Sequence, residues 1–198
     1  MPRLLLATNN AGKVLEYQSL LEEVHFEIVT PAQQGLQLAV PETGRTYEEN
    51  ARQKAVTFAR ASHLLTLADD SGLEVDALNG EPGIRSSRYA GEGASDVERV
   101  TYLLGKLRGI PPEKRTARFR CVIAIAWPDG RVVFCHGSCE GVISSTPSGS
   151  QGFGYDPVFY FPELKKTMAE LPMEVKNRIS HRGRAAREAL RILSSLAS

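Results

Sequence analysis

Asp69-Asp70-Ser71-Gly72 places two acids directly after the apolar run Leu64-Leu65-Thr66-Leu67-Ala68. The run reads as a buried strand, so the acids are expected to emerge at its end, where ligand clefts form in α/β proteins. Adjacent carboxylates repel unless a cation or cationic side chain sits between them. A hard cation such as Mg²⁺, held by carboxylate and used on phosphates, fits this need. Asp, Ser and Gly are also common turn formers, and this segment alone is read equally well as an acidic turn.

Other segments carry groups suited to phosphate. Thr8-Asn9-Asn10-Ala11-Gly12-Lys13 follows the apolar run Leu4–Ala7 and precedes a helical pattern. Such a junction turns backbone N–H groups and the positive helix end toward an anion. Gly12 permits close approach and Lys13 supplies charge, although the Walker spacing is absent. Its bland alternative is a polar turn with an Asn cap. Glu42, in Pro41-Glu42-Thr43-Gly44, lies on a loop from which it could reach a metal; a loop Glu is otherwise an ordinary surface charge. Lys54 lies two turns into the helix that follows. Phe153 and Tyr155 stand among glycines beside Asp156, and an aromatic there can stack on a base or plug the core. Lys176, His181 and Arg182 crowd around a helix start. A solvated helix end would explain them, but cations there oppose the helix dipole, which favours binding.

The elements that must position these groups follow from periodicity. Leu4–Ala7 and Phe26–Val29 read as strands flanking a helix over Lys13–Glu23. Thr46 and Glu49 fit a capping box opening a helix to Ala61, and Ser95 and Glu98 open another with Val97, Val100, Leu104 and Leu107 inward. Leu73–Asp76 alternates as a half-buried strand. Asn79–Gly93 reads as a long loop. Pro128-Asp129-Gly130 joins two β-rich runs as a hairpin. Ser180 is expected to cap a last helix with Ala185, Ala186, Ala189, Leu190 and Leu193 on one stripe. The order indicates an α/β fold with a mixed sheet covered by helices.

The 198 residues are 42% hydrophobic and 24% charged, which favours neither disorder nor a membrane class. A net charge of +1 gives no global attraction to nucleic acid or anionic membrane. The charge is uneven, with six Lys and Arg against Glu188 alone between Lys176 and Arg191. No apolar run approaches a membrane span, and the start lacks a signal-peptide layout, so a cytoplasmic location is expected. Cys121, Cys135 and Cys139 match no zinc spacing and are expected as reduced thiols on strands.

Taken together, TNNAGK at 8–13, PETG at 41–44, ADDSGL at 68–73, FGYDP at 153–157 and KNRISHR at 176–182 resemble the inosine triphosphate pyrophosphatase family. The resemblance runs from about residue 4 to 193 and extends to Val75–Leu78, Pro82-Gly83 and Ser87–Gly91. It departs from the family at Leu171-Pro172-Met173 and at Ser87. It implies Mg²⁺-dependent hydrolysis of non-canonical purine nucleoside triphosphates (ITP, dITP, XTP) to monophosphate and pyrophosphate. Asp70 would be the catalytic acid and a metal ligand, and Glu42 the second metal-associated acid. Substrate contacts would come from Thr8, Asn9, Asn10, Ala11, Gly12, Lys13, Lys54 and Ser71. Phe153 would stack on the purine, with Gly154, Tyr155 and Asp156 shaping that wall, and Lys176, His181 and Arg182 would contact the nucleotide and read the base. Asp69 is left as a neighbour that shapes the local field. The resemblance further implies one elongated two-lobed domain over residues 1–198, a central twisted mixed β-sheet, an active-site cleft between the lobes, and a homodimer. No nucleic-acid or membrane partner is expected. Two competing readings are a Maf-type pyrophosphatase acting on modified pyrimidine nucleotides and a nucleotide-binding regulator without turnover.

Overall fold

The computed structural model describes residues 1–196. Strand β1 (Arg3–Leu6) is fully buried after its first residue, as expected of a strand covered on both faces. It lies parallel to β2 (Glu27–Val29) on one side and to β3 (Leu65–Val75) on the other. Helix α1 (Ala11–Leu20) connects β1 to β2, and α2 (Tyr47–Ser62) precedes β3. Asn10 caps α1 by accepting from the Lys13 amide, and Thr46 caps α2 by accepting from the Glu49 amide. Glu49 reaches back one residue further than the capping box predicts, to the Arg45 amide at 2.6 Å.

Helix α3 (Asp96–Lys106) carries the complete capping box between Ser95 and Glu98. Strands β4 (Thr116–Ala126) and β5 (Val132–Ile143) are joined by a tight turn in which the Gly130 amide donates to the Trp127 carbonyl. Short strand β6 (Phe159–Phe161) pairs antiparallel with β5, and β7 (Lys166–Thr167) pairs antiparallel with β6. Helices α4 (Met173–Ile179) and α5 (His181–Leu196) complete the chain. The strands form one mixed seven-stranded sheet in the order β2-β1-β3-β4-β5-β6-β7.

The chain divides into two compact units, and β3, β4 and β5 each contribute residues to both. Unit 1 comprises Met1–Asp70, Cys121–Gly137 and the C-terminal segment from His181; unit 2 comprises Ser71–Arg120 and Ser138–Ser180. The core of unit 1 joins Leu4, Leu6, Tyr17, Leu67, Ile123 and Ile125 to the α5 stripe of Ala185, Ala186, Ala189 and Leu193. A Cβ at Gly137 would sit 2.1 Å from the His181 carbonyl oxygen, so glycine on β5 is what lets α5 approach this closely. The core of unit 2 joins Leu73, Val75, Val100, Leu103, Leu107, Phe119, Tyr155 and Phe159.

Three expectations are corrected. The acids do not end a strand: β3 runs unbroken from Leu65 through Asp69 and Asp70 to Val75. Val97 is exposed, whereas Val100, Leu103 and Leu107 face the core, so the apolar stripe begins one turn later than predicted. Asn79–Gly93 is also more ordered than a loop, since Gly83–Arg88 forms two turns of 3-10 helix. The three cysteines are free and buried on β4 and β5.

Candidate functional site

Polar residues persist inside β3 because every carboxylate oxygen there finds a partner. Consecutive strand side chains point to opposite faces, so the two acids need not share a counter-charge. The Asp69 Oδ1 accepts from Lys13 Nζ at 2.8 Å. Its Oδ2 lies 3.5 Å from Arg182 Nε and 3.9 Å from Cys121 Sγ. Burial alone would raise the Asp69 carboxyl, but Lys13, Arg182 and Lys54 outweigh it and hold the group far below the usual carboxylate range. Asp69 is therefore a buried anchor whose neighbours favour its charged form.

Asp70 has a different environment. Its Oδ2 accepts from Asn50 Nδ2 at 3.0 Å, and its Oδ1 lies 3.7 Å from Lys54 Nζ. Lys54 in turn donates to Glu42 Oε1 at 2.8 Å and to the Asp69 carbonyl at 2.6 Å. Burial pushes the Asp70 carboxyl upward, and the charge of Glu42 adds to this against Lys54, Lys13 and the Asn50 hydrogen bond. Lys54 is held charged, since Asp70, Asp69 and Glu42 together exceed the cost of its burial. The loop bearing Glu42 is fixed by Gly44, whose amide donates to Asn50 Oδ1 at 2.8 Å. Asn50 thus orients both Asp70 and the loop that carries Glu42, a role that no sequence motif marked.

The α1 turn is already organised. Thr8 Oγ1 accepts from the Asn10 amide at 3.2 Å, and Asn10 Oδ1 from the Lys13 amide at 3.0 Å. First-turn amides such as those of Ala11 and Gly12 have no intrahelical acceptor, which suits an anion. Asn9 is exposed beside them. At the head of α5, His181 and Arg182 are buried rather than solvated. Arg182 Nη1 donates to Glu16 Oε2 at 2.9 Å, so Glu16 and Asp69 offset the guanidinium charge set at the positive end of a helix. Glu16, 2% exposed, carried no signal in the sequence.

In unit 2, Ser71 continues β3 directly after Asp70. The aromatic loop is built around one carboxylate. Asp156 Oδ2 accepts from the Phe153 amide at 2.9 Å and from Lys176 Nζ at 2.6 Å, and both Asp156 and Lys176 are buried. Lys176 Nζ also lies 5.4 Å from the centroid of the half-buried Phe153 ring. Tyr155 is a core residue whose hydroxyl donates to the Ser86 carbonyl at 2.8 Å. The Gly154 amide donates to Asp96 Oδ2 at 2.7 Å. At Gly152, φ is +78° and a Cβ would sit 2.0 Å from Asp156 Oδ2. Gly152→Ala is expected to lower stability by about 2 kcal/mol through combined backbone strain and overpacking. A thermal unfolding midpoint equal to that of the parent protein would refute this.

A protein-family model described as the Ham1 family matches residues 4–192. The chain belongs to the Ham1 family. The Ham1 match agrees with whole-chain similarity. The chain is 52% identical over 194 residues to a dITP/XTP pyrophosphatase of Desulforamulus reducens, covering 98% of this chain and 96% of the relative. It is 43% identical to the dITP/XTP pyrophosphatase of Bacillus subtilis, with 98% of each covered. A solved HAM1 protein from Coxiella burnetii superposes with a TM-score of 0.89 at 41% identity, over 98% of this chain and 100% of that one.

Among the described residues no helix is long and apolar enough to cross a membrane. No group of three or more His, Cys, Asp and Glu among them could hold a metal ion. The oxygens of Glu42 and Asp70 nevertheless suit magnesium, which takes one or two carboxylates from a protein and completes its shell with phosphate and water. Lys54 Nζ stands beside both carboxylates.

Proposed function

We propose that this Ham1 protein is a nucleoside triphosphate pyrophosphatase that hydrolyses the non-canonical purine nucleotides ITP, dITP and XTP. The observation that carries this is the Asp70 carboxylate: desolvated, beside Glu42, and oriented by Asn50. A carboxylate of raised proton affinity is suited to take a proton from water. The names of the relatives support the substrate class.

Water adds at the α-phosphorus as its proton passes to Asp70. The bond from that phosphorus to the bridging oxygen breaks, releasing monophosphate and pyrophosphate. Lys13 and Lys54 stabilise the charge that accumulates on the leaving group. The first-turn amides of α1 hold phosphate oxygens. Magnesium, held by Glu42 and Asp70 when bound, would supply further charge neutralisation. Phe153 offers a face for the base, on a loop already fixed by Asp156 and Lys176. Hypoxanthine and xanthine present a 6-keto acceptor where adenine presents a 6-amino donor. His181 and Arg182 are the donors assigned to it, and a donor left facing a donor in a buried site is strongly discriminating.

Steady-state assays across ITP, dITP, XTP, ATP, GTP and modified UTP should show pyrophosphate release with kcat/KM for ITP at least ~100-fold above that for ATP. Chelation should abolish turnover, and added Mg²⁺ should restore it. Release of orthophosphate, or equal use of ATP, would overturn this reading.

A further inference from the structure

We infer that Asp96, in the first turn of α3, is a positioning residue for base recognition, acting through the backbone of the Phe153 loop. The inference rests on Phe153 being the base platform. Asp96 sits next to the N-cap Ser95 and reads at first as a helix-dipole acid. Its carboxylate does something else. Oδ2 accepts from the Gly154 amide at 2.7 Å, while Oδ1 pairs with Arg99 on the same helix. Arg99 also donates from Nη1 to the Ser87 carbonyl at 2.9 Å and to that of Ala94. Tyr155, next in the loop, donates to the neighbouring Ser86 carbonyl, and Ser86 Oγ accepts from the Leu73 amide at 2.9 Å.

The aromatic loop is therefore held at three consecutive residues. Asp156 accepts from the Phe153 amide, Asp96 accepts from the Gly154 amide, and the Tyr155 hydroxyl ties to residue 86. Gly154 has φ of +65°, a left-handed conformation in which its amide must be aimed by an outside acceptor or left to water. Only Asp96 accepts from it among the described residues. The Asp156 anchor is buried, but the Asp96 side chain is 42% exposed. Asp96 is therefore the contact that can be removed without emptying the core. The Ser87–Gly91 segment, which no catalytic role explains, becomes the footing to which Arg99 ties this clamp.

The test compares Asp96→Ala, Asp96→Asn and Phe153→Ala by steady-state kinetics with ITP and by hydrogen–deuterium exchange of the peptide covering residues 150–158. Asp96→Ala should speed exchange in that peptide while leaving the rest of the chain protected. It should raise KM for ITP about five- to ten-fold, the weight of one charge-assisted hydrogen bond, with kcat within about two-fold. Asp96→Asn keeps an acceptor for Gly154 and should recover most of the loss. Unchanged exchange in Asp96→Ala overturns the inference, as does faster exchange with unchanged KM. Phe153→Ala tests the underlying reading separately. If it leaves KM for ITP unaltered, the stacking role falls, while the exchange data still decide whether Asp96 clamps the loop.

Discussion

Asp70→Asn should abolish turnover of ITP, by ~10³-fold or more, and leave the folded protein at least as stable at neutral pH. The amide side chain preserves shape and can still accept from Asn50, so the strand is not disturbed. What is lost is the proton acceptor and the metal-binding charge proposed for Asp70. The stability claim follows from the direction of the Asp70 shift, upward through burial and the charge of Glu42. A carboxyl whose pKa is higher in the folded than in the unfolded state favours folding when protonated. That contribution is complete in acid, below the ordinary carboxylate range, and is lost as pH rises through the folded value. At neutral pH the ionised Asp70 thus costs stability, and the Asp70→Asn substitution removes the cost. The two proteins should converge as the pH falls. The same shift sets the activity profile: kcat/KM of the parent protein should rise with pH through an apparent pKa above the ordinary carboxylate range. A variant with near-normal turnover would remove Asp70 from the mechanism. A destabilised variant would show that its charge is compensated more fully than its surroundings indicate.

Much of this arrangement was legible in the residues because its signals are local. Thr46 and Ser95 announce helix starts, Pro128-Asp129-Gly130 announces a turn, and Ala185, Ala186, Ala189 and Leu193 fall on one helical stripe. The placement of Lys13 at the start of α1 and Lys54 in α2 followed from the same periodicity. What was not legible depends on partners distant along the chain. Two carboxylates looked like a strand end because buried acids are costly; Lys13, Asn50, Lys54 and Arg182 offset that cost and let β3 continue through them. Asp96 carried no signal because its acceptor role is set by Gly154, 58 residues away. Glu16 lay in an ordinary helical pattern and is paired with a residue 166 positions on. Lys176 and Arg182 were singled out as binding cations, but their burial was not foreseen because their counter-ions, Asp156 and the Glu16–Asp69 pair, are not their neighbours in sequence. Local propensity places the elements, but the charge pairing that turns a polar patch into a site belongs to the fold.

The neighbouring substitution, Asp69→Asn, should have the opposite effect on stability. It leaves Lys13 and the buried Arg182 without the carboxylate they share, and breaking one side of a buried ion pair costs about 3 kcal/mol. Arg182 retains Glu16, so the loss falls mostly on Lys13 and on the Nε side of the guanidinium. Urea unfolding at pH 7 should show this loss directly. The sign of the pH dependence is also reversed. The Asp69 carboxyl is held below its ordinary value by Lys13, Arg182 and Lys54 against the effect of burial. Its contribution is present above the ordinary carboxylate range and is lost as the pH falls from there toward the folded value. The gap between Asp69→Asn and the parent protein should therefore be widest at neutral pH and narrow in acid. Activity should fall through KM as Lys13 loses its tether. Two adjacent acids of one strand would then separate cleanly: removing the charge at 70 spares the fold and ends the chemistry, whereas removing it at 69 weakens the fold first. Equal stability of Asp69→Asn and the parent at pH 7 would mean that Lys13 and Arg182 do not depend on this carboxylate, and that Asp69 is not the anchor its contacts describe.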